Sequence, residues 1–284
     1  MRLWGTRCSS LIEEWENEES MVYITFGLVS FFASVIGSIC GIGGGVIIKP
    51  TLDAFQIYSA ATISLMCGCT VLAMAACSIC RILISETSYI RWKVSGWLGA
   101  GAATGGIIGG ALLSYISSQM GQPNLVGAIQ AVALFAILAV TLLYMRNESK
   151  VQTLHLARSY ICLVIGFALG VCSSFLGIGG GPLNLVVLYY FFSMQKKEAA
   201  QNSLFIILIA QAANLMYAAC RQKIPSLPFP ETAVMLFCGV AGGIFGRRLN
   251  QKLTERSIGN LLFWVTIIIM LICCYNFIHF CIII

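Results

Sequence analysis

The pentapeptide Gly-Ile-Gly-Gly-Gly occurs twice in this chain, at Gly41–Gly45 and at Gly177–Gly181, and each copy interrupts a long apolar run. Three consecutive glycines remove side-chain bulk and permit positive φ, so the backbone can turn sharply and present its N–H groups. The apolar run after each copy, Val46 to Ile57 and Pro182 to Ser193, has about 12 residues. As helix that is roughly 18 Å, enough for about half a bilayer core. Apolar elements that break at glycines and resume at half length are the pattern of discontinuous membrane helices in transporters. Close helix packing through small residues is the simpler alternative. Two copies in matching places favour the transporter reading.

Composition fixes the surroundings. The chain is 58% hydrophobic and 10% charged, where soluble domains carry about 25% charged residues, so the expected fold is an all-α polytopic integral membrane protein in a lipid bilayer. The formal charge of +6 is modest, and no long basic run with interleaved aromatics suggests nucleic acid. The 13 cysteines lie mostly inside apolar runs, unlike a secreted disulfide framework. Residues 1–20 form an acidic N-terminal segment, in which Glu13, Glu14, Glu16, Glu18 and Glu19 outnumber Arg2 and Arg7. With no small-residue cleavage site after an apolar core, it does not read as a signal peptide. Leu11, Ile12 and Trp15 suit a small amphipathic helix at the interface.

Apolar runs follow at 21–40, 46–57, 58–84, 94–117, 123–145, 159–176, 182–193, 199–220, 231–249 and 257–283. They make 10 helical segments, eight of them long spans. The hydrophilic break 146–158 separates two copies of one plan, 21–145 and 159–284. Besides the pentapeptides, Ala60-Ala61-Thr62-Ile63-Ser64-Leu65 answers to Ala199-Ala200-Gln201-Asn202-Ser203-Leu204, and Thr104-Gly105-Gly106-Ile107-Ile108-Gly109 answers to Ala241-Gly242-Gly243-Ile244-Phe245-Gly246. Charge placement orients the copies. If the chain turns back at each glycine stretch, Arg81, Arg91, Lys93, Arg146, Lys150, Arg158, Lys196, Lys197, Arg247, Arg248, Lys252 and Arg256 share one side. Arg2, Arg7, Arg221 and Lys223 share the other with the acidic N-terminus. That asymmetry obeys the positive-inside rule. It predicts two inverted repeats, each with a glycine-broken helix pair or re-entrant hairpin plus three full spans, a cytoplasmic 146–158 linker and both termini outside.

The two GIGGG stretches, with Pro50 after the first and Pro182 after the second, resemble the sulfite exporter TauE/SafE family of membrane permeases. The Ala-rich starts of the next helices and the Gly-Gly-x-x-Gly helices resemble it too, over nearly the whole chain beyond residue 20. The resemblance implies a cell-membrane transporter of sulfur-containing anions such as sulfite or organosulfonates, and no enzyme. The chain departs from the family pattern at Ile63-Ser64 and Asn202-Ser203, where Thr-Ser is frequent, and at Lys49, where an apolar residue is usual.

The residues point to an anion independently. Few ionisable groups lie within the apolar runs, so the intramembrane carboxylates usual for a cation or proton carrier are scarce. The free N–H groups of Gly43, Gly44, Gly45, Gly179, Gly180 and Gly181, at the positive ends of two short helices, can hold a small oxyanion near the midplane without a cofactor. Ser64, Asn202 and Ser203 open the helices after the short arms, where they either cap or reach substrate oxygens. Asn184, one turn into the second arm, is a further contact candidate. Lys49 lies four residues before Asp53, the only acid in the interior rather than at the end of an apolar run. It either pairs with Asp53 and snorkels to the interface or serves as countercharge to the substrate. Most of the field is assigned to the backbone, so Lys49→Met is expected to matter less than alanine at Gly44 or Gly180. Gln130, Gln211 and Asn214 suit interhelical hydrogen bonds.

Two rival classes remain. A membrane hydrolase needs a nucleophile beside a base, and His279 is the only histidine in an apolar run. A cysteine-dependent carrier of metal or sulfane sulfur would use Cys77 and Cys80, which share a helical face, with Cys69 near it. No ATP-binding loop is present, so transport would draw on a gradient or a partner.

Overall fold

The computed structural model describes residues 2–84, 88–120, 123–156, 158–220 and 227–283. The regular elements are helices: α1 (Arg2–Cys40), α2 (Gly45–Phe55), α3 (Ala60–Ile84), α4 (Trp92–Met120), α5 (Pro123–Arg146), α6 (Ser159–Phe175), α7 (Pro182–Phe192), α8 (Lys196–Cys220), α9 (Phe229–Lys252) and α10 (Glu255–Ile283), with a 3-10 turn at Glu148–Lys150. They answer one for one to the apolar runs. Among the described residues, seven of them contain a stretch long and apolar enough to cross a membrane. The span expected at 159–176 is the 17-residue α6, about 25 Å of helix, because the glycine turn begins immediately after it. Helix α1 runs unbroken from Arg2, so no separate small helix precedes it. The side chains of Arg2, Arg7, Leu11, Ile12, Trp15 and the five N-terminal glutamates, together with Arg221 and Lys223, lie outside the described residues.

Both short arms turn back. A Cβ on Gly44 would lie 3.2 Å from the backbone of Ala33, so α2 starts level with the middle of the apolar part of α1. Tyr58, just beyond α2, stacks edge-on against Phe26 of α1 at 6.0 Å between ring centroids. The second arm repeats the geometry. Leu154 and Leu156, ahead of α6, donate their N–H groups to the carbonyls of Tyr190 and Phe191 at the end of α7, at 2.7 and 2.9 Å. Each arm therefore returns to the end from which its preceding helix set out, as a re-entrant hairpin.

Polar contacts sort the loops into two ends. At one, the Arg91 guanidinium pairs with the Glu198 carboxylate and donates to the Phe192 carbonyl at 3.1 Å. Lys196 lies 3.3 Å from Glu148, and the Lys197 N–H donates to Glu255. At the other, the Tyr58 hydroxyl donates to Glu231 at 2.9 Å, and Gln56 Nε2 lies 2.6 Å from His279 Nδ1. Helix α1 runs from the second end and its counterpart α6 from the first, so the repeats are inverted. They also interlock. Helix α1 packs along α9 and α4 along α6, while α3 and α8 meet each other and also touch α9 and α4 respectively. Exchanging the halves leaves this pattern unchanged.

The Gly-Gly-x-x-Gly helices explain the interlocking. A Cβ on Gly101, Gly105 or Gly109 of α4 would collide with the carbonyl oxygens of Leu163, Phe167 and Val171 of α6. On α9, Gly242 and Gly246 meet the Phe31 and Val35 carbonyls of α1 in the same way. Backbone rests on backbone at both contacts, a closeness that only small residues allow.

Candidate functional site

The hairpin tips meet inside the bundle. A Cβ on Gly45 would strike the Ile178 carbonyl, and one on Gly181 would lie 3.1 Å from Val46. Gly41 rests on Ala200 at the start of α8, and Gly177 on Ser64 at the start of α3, so each tip sits on the other half's central helix. Positive φ occurs where the turns need it, at Gly41 (80°), Gly43 (66°), Gly177 (66°), Gly179 (70°) and Gly180 (145°). Gly44 differs from that expectation. Its φ of −52° is ordinary helical backbone, since it already caps α2. Among the described residues, no acceptor takes the N–H groups of Gly43, Gly44, Gly45, Gly179, Gly180 or Gly181. These are the orphan donors of two helix starts, and α2 and α7 direct their positive ends toward one another's tip.

Of the side chains proposed from sequence, Ser64 and Asn184 are at the tips. Ser64 lies against Gly177 while donating to the Ala60 carbonyl at 2.7 Å. Asn184 Nδ2 lies 3.6 Å from the Cβ position of Gly180. Capping of α3 falls to Ser59, whose Oγ accepts the Thr62 N–H at 3.2 Å. Asn202 is elsewhere. Its Oδ1 accepts from the Arg91 N–H at 2.8 Å and from Ser95 Oγ at 2.5 Å, and its Nδ2 donates to the Tyr89 and Glu198 carbonyls, so it holds the α3–α4 connection. Ser203 is fully buried, its Oγ without a partner among the described residues. Sequence reasoning did not single out Ile207, whose side chain covers both Gly43 and Gly180, and it assigned Gln211 only a structural bond. Gln211 is buried, with Nε2 packed over Gly179.

Lys49 does not snorkel. It is 3% exposed, its Nζ 2.8 Å from Asp53 Oδ2 and 3.1 Å from Gln130 Oε1. Gln130 passes the contact on, donating Nε2 to the Phe175 carbonyl at 2.7 Å, where α6 ends and the second tip begins. The Lys49 Cε lies 3.0 Å from the Cβ position of Gly177. A buried ion pair on the first arm thus touches the second tip, and substituting Lys49 would remove packing as well as charge. The second arm has Leu185 and Tyr189 at the places corresponding to Lys49 and Asp53.

The sequence pattern of the sulfite exporter TauE/SafE family matches residues 26–272, from the first membrane helix into the last. The chain belongs to the sulfite exporter TauE/SafE family. No curated protein and no solved structure matches it. Membership in TauE/SafE makes the chain a multi-pass membrane transporter of sulfite or related anions, in a family of transporters and not of enzymes. The cysteine alternative gains no support. Cys77 is partly exposed, Cys80 is exposed, and no group of three or more His, Cys, Asp or Glu residues among those described could hold a metal.

Proposed function

We propose that this TauE/SafE protein is a secondary transporter of small sulfur-containing anions of the sulfite and sulfonate class, which it binds between the two glycine tips. The observation that carries the reading is the meeting of two re-entrant helix starts with unclaimed N–H groups. Charge-assisted hydrogen bonds contribute about 1.5–3 kcal/mol each, so a few suffice for a small oxyanion. Ser64 and Asn184 are the side-chain partners, while Ile207 and Gln211 cover the tips and must shift for the anion to enter. The substrate-binding set is then Gly43, Gly44, Gly45, Gly179, Gly180, Gly181, Ser64 and Asn184, with Lys49 as a nearby countercharge. The basic end faces the cytoplasm and the Tyr58–His279 end faces outward, in the plasma membrane.

The test is uptake into proteoliposomes of sulfite, thiosulfate, sulfoacetate and sulfate, each under an imposed gradient. Saturable uptake of at least one sulfur oxyanion is expected, with its half-saturation shifted to higher concentration when Gly179 is replaced by alanine. Failure of all four would overturn the reading.

A further inference from the structure

A small cavity with a few polar lining residues lies beside the tips, between α2, α5 and α10. It encloses about 10 Å³ and is lined by Lys49, Asp53, Gln130, Cys273 and Asn276 among apolar neighbours. That is space for about one water. Two of the lining residues carry a buried acceptor with no partner among the described residues, Asp53 Oδ1 and Asn276 Oδ1. The other atom of each group is already engaged, Asp53 Oδ2 by Lys49 and Asn276 Nδ2 by the Pro50 carbonyl at 2.8 Å. Two orphan oxygens on residues that line one water-sized space call for a hydrogen donor beside them. A metal cation is disfavoured because the Lys49 ammonium already contacts the same carboxylate, and two free oxygens fall short of a full cation shell.

We infer that Asp53 is a proton-binding site that couples anion transport to a proton gradient, an inference that rests on the anion site proposed above. Without substrate, Lys49⁺ and Asp53⁻ cancel. A proton from the aqueous phase adds to Asp53 Oδ1, turning the carboxylate into a carboxylic acid, and no other bond changes. Lys49 then holds an uncompensated positive charge, with its stem against Gly177 of the second tip. A monoanion at the tips neutralises it. Both states leave the buried site with no net charge, whereas anion without proton or proton without anion leaves one charge unpaired, which is costly in a dry interior. Loading of one favours loading of the other, the requirement for symport.

The other titratable groups around Asp53 are the thiols of Cys67 on α3 and Cys273 on α10. On the same face of the bundle, His279 of α10 contacts Gln56 just past the end of α2. The probe must not itself titrate, which excludes sulfite, so methanesulfonate is used. In calorimetry on the purified full-length protein, its affinity for the wild type should rise as pH falls, by up to roughly tenfold per pH unit for one linked proton. Asp53→Asn should bind with the wild type's acid-limit affinity at every pH and fail to accumulate methanesulfonate under a pH gradient in proteoliposomes. Lys49→Gln should bind weakly at every pH, while His279→Asn should keep the wild-type pH dependence. A pH-independent wild type, a pH-dependent Asp53→Asn, or accumulation driven by sodium instead of protons overturns the inference. Infrared titration separates this from failure of the anion site: a protonated carboxyl band must appear on acidification in the wild type, at lower pH without methanesulfonate than with it, and be missing in Asp53→Asn. Absence of that difference overturns the proton site.

Discussion

At the scale of single residues, the glycines of the tips are not equivalent, and their backbone angles rank them. Gly179 has φ of 70°, and any Cβ there falls on Gln211 Nε2, whereas Gly44 has an ordinary helical φ. Left-handed backbone costs a side-chain-bearing residue roughly 1–2 kcal/mol, so relief of that strain would turn the N–H groups away from the anion. Gly179→Ala is expected to weaken anion binding about tenfold or more, 1.4 kcal/mol being one factor of ten, while Gly44→Ala weakens it less. Calorimetry on the folded, monodisperse variants checks the order, and equal losses would contradict it. The glycine pentapeptides were legible because their chemistry is local. The surroundings of Lys49 were not. Its pairing with Asp53 follows from a four-residue spacing, but Gln130 and Asn276 come from helices far along the chain, joined by no rule of spacing. Asn202 misled for a geometric reason: one step along a helix turns about 100°, so a neighbour of Ser203 faces another element.

At the scale of helices, the repeated Gly-Gly-x-x-Gly motif was legible as a repeat but not as a contact, because sequence does not say which helix faces it. The structure shows α4 laid on α6, and α9 on α1, through glycine backbone. A side chain at such a point has nowhere to go, and overpacking costs about 1–3 kcal/mol even where neighbours can shift. Gly105→Leu, aimed at the Phe167 carbonyl, is therefore expected to lower the yield of folded protein and its melting temperature. Gly96→Ala on the same helix is the matched control, since its Cβ would meet nothing within 4 Å. It should be neutral or stabilising by up to about 1 kcal/mol from helix propensity. Thermal unfolding in detergent distinguishes them, and equal melting temperatures would refute the packing account. The hairpins, by contrast, were legible as elements, because only a return at the glycines collects the basic residues on one side.

At the scale of the whole molecule, the two ends defined by Arg91–Glu198 and by Tyr58–Glu231 can be assigned to compartments by labelling. Arg247, which the charge pattern placed on the basic side, is only 5% exposed and hydrogen-bonds to Asn250, so Arg248, exposed beside it, is the better probe. With the exposed native cysteines replaced, single cysteines at Lys150 and Arg248 are expected to react with an impermeant thiol reagent only from the cytoplasm, and one at Gln56 only from outside. Reaction of Lys150 and Gln56 from the same side would refute the topology. The interlocking of the halves has a mechanical consequence. Helix α1 is keyed to α9 and α4 to α6 by contacts with no side chain to yield, so neither pair separates without breaking backbone-to-backbone packing. Any division of the ten helices that keeps both keyed pairs intact therefore cuts across the boundary between the two sequence copies.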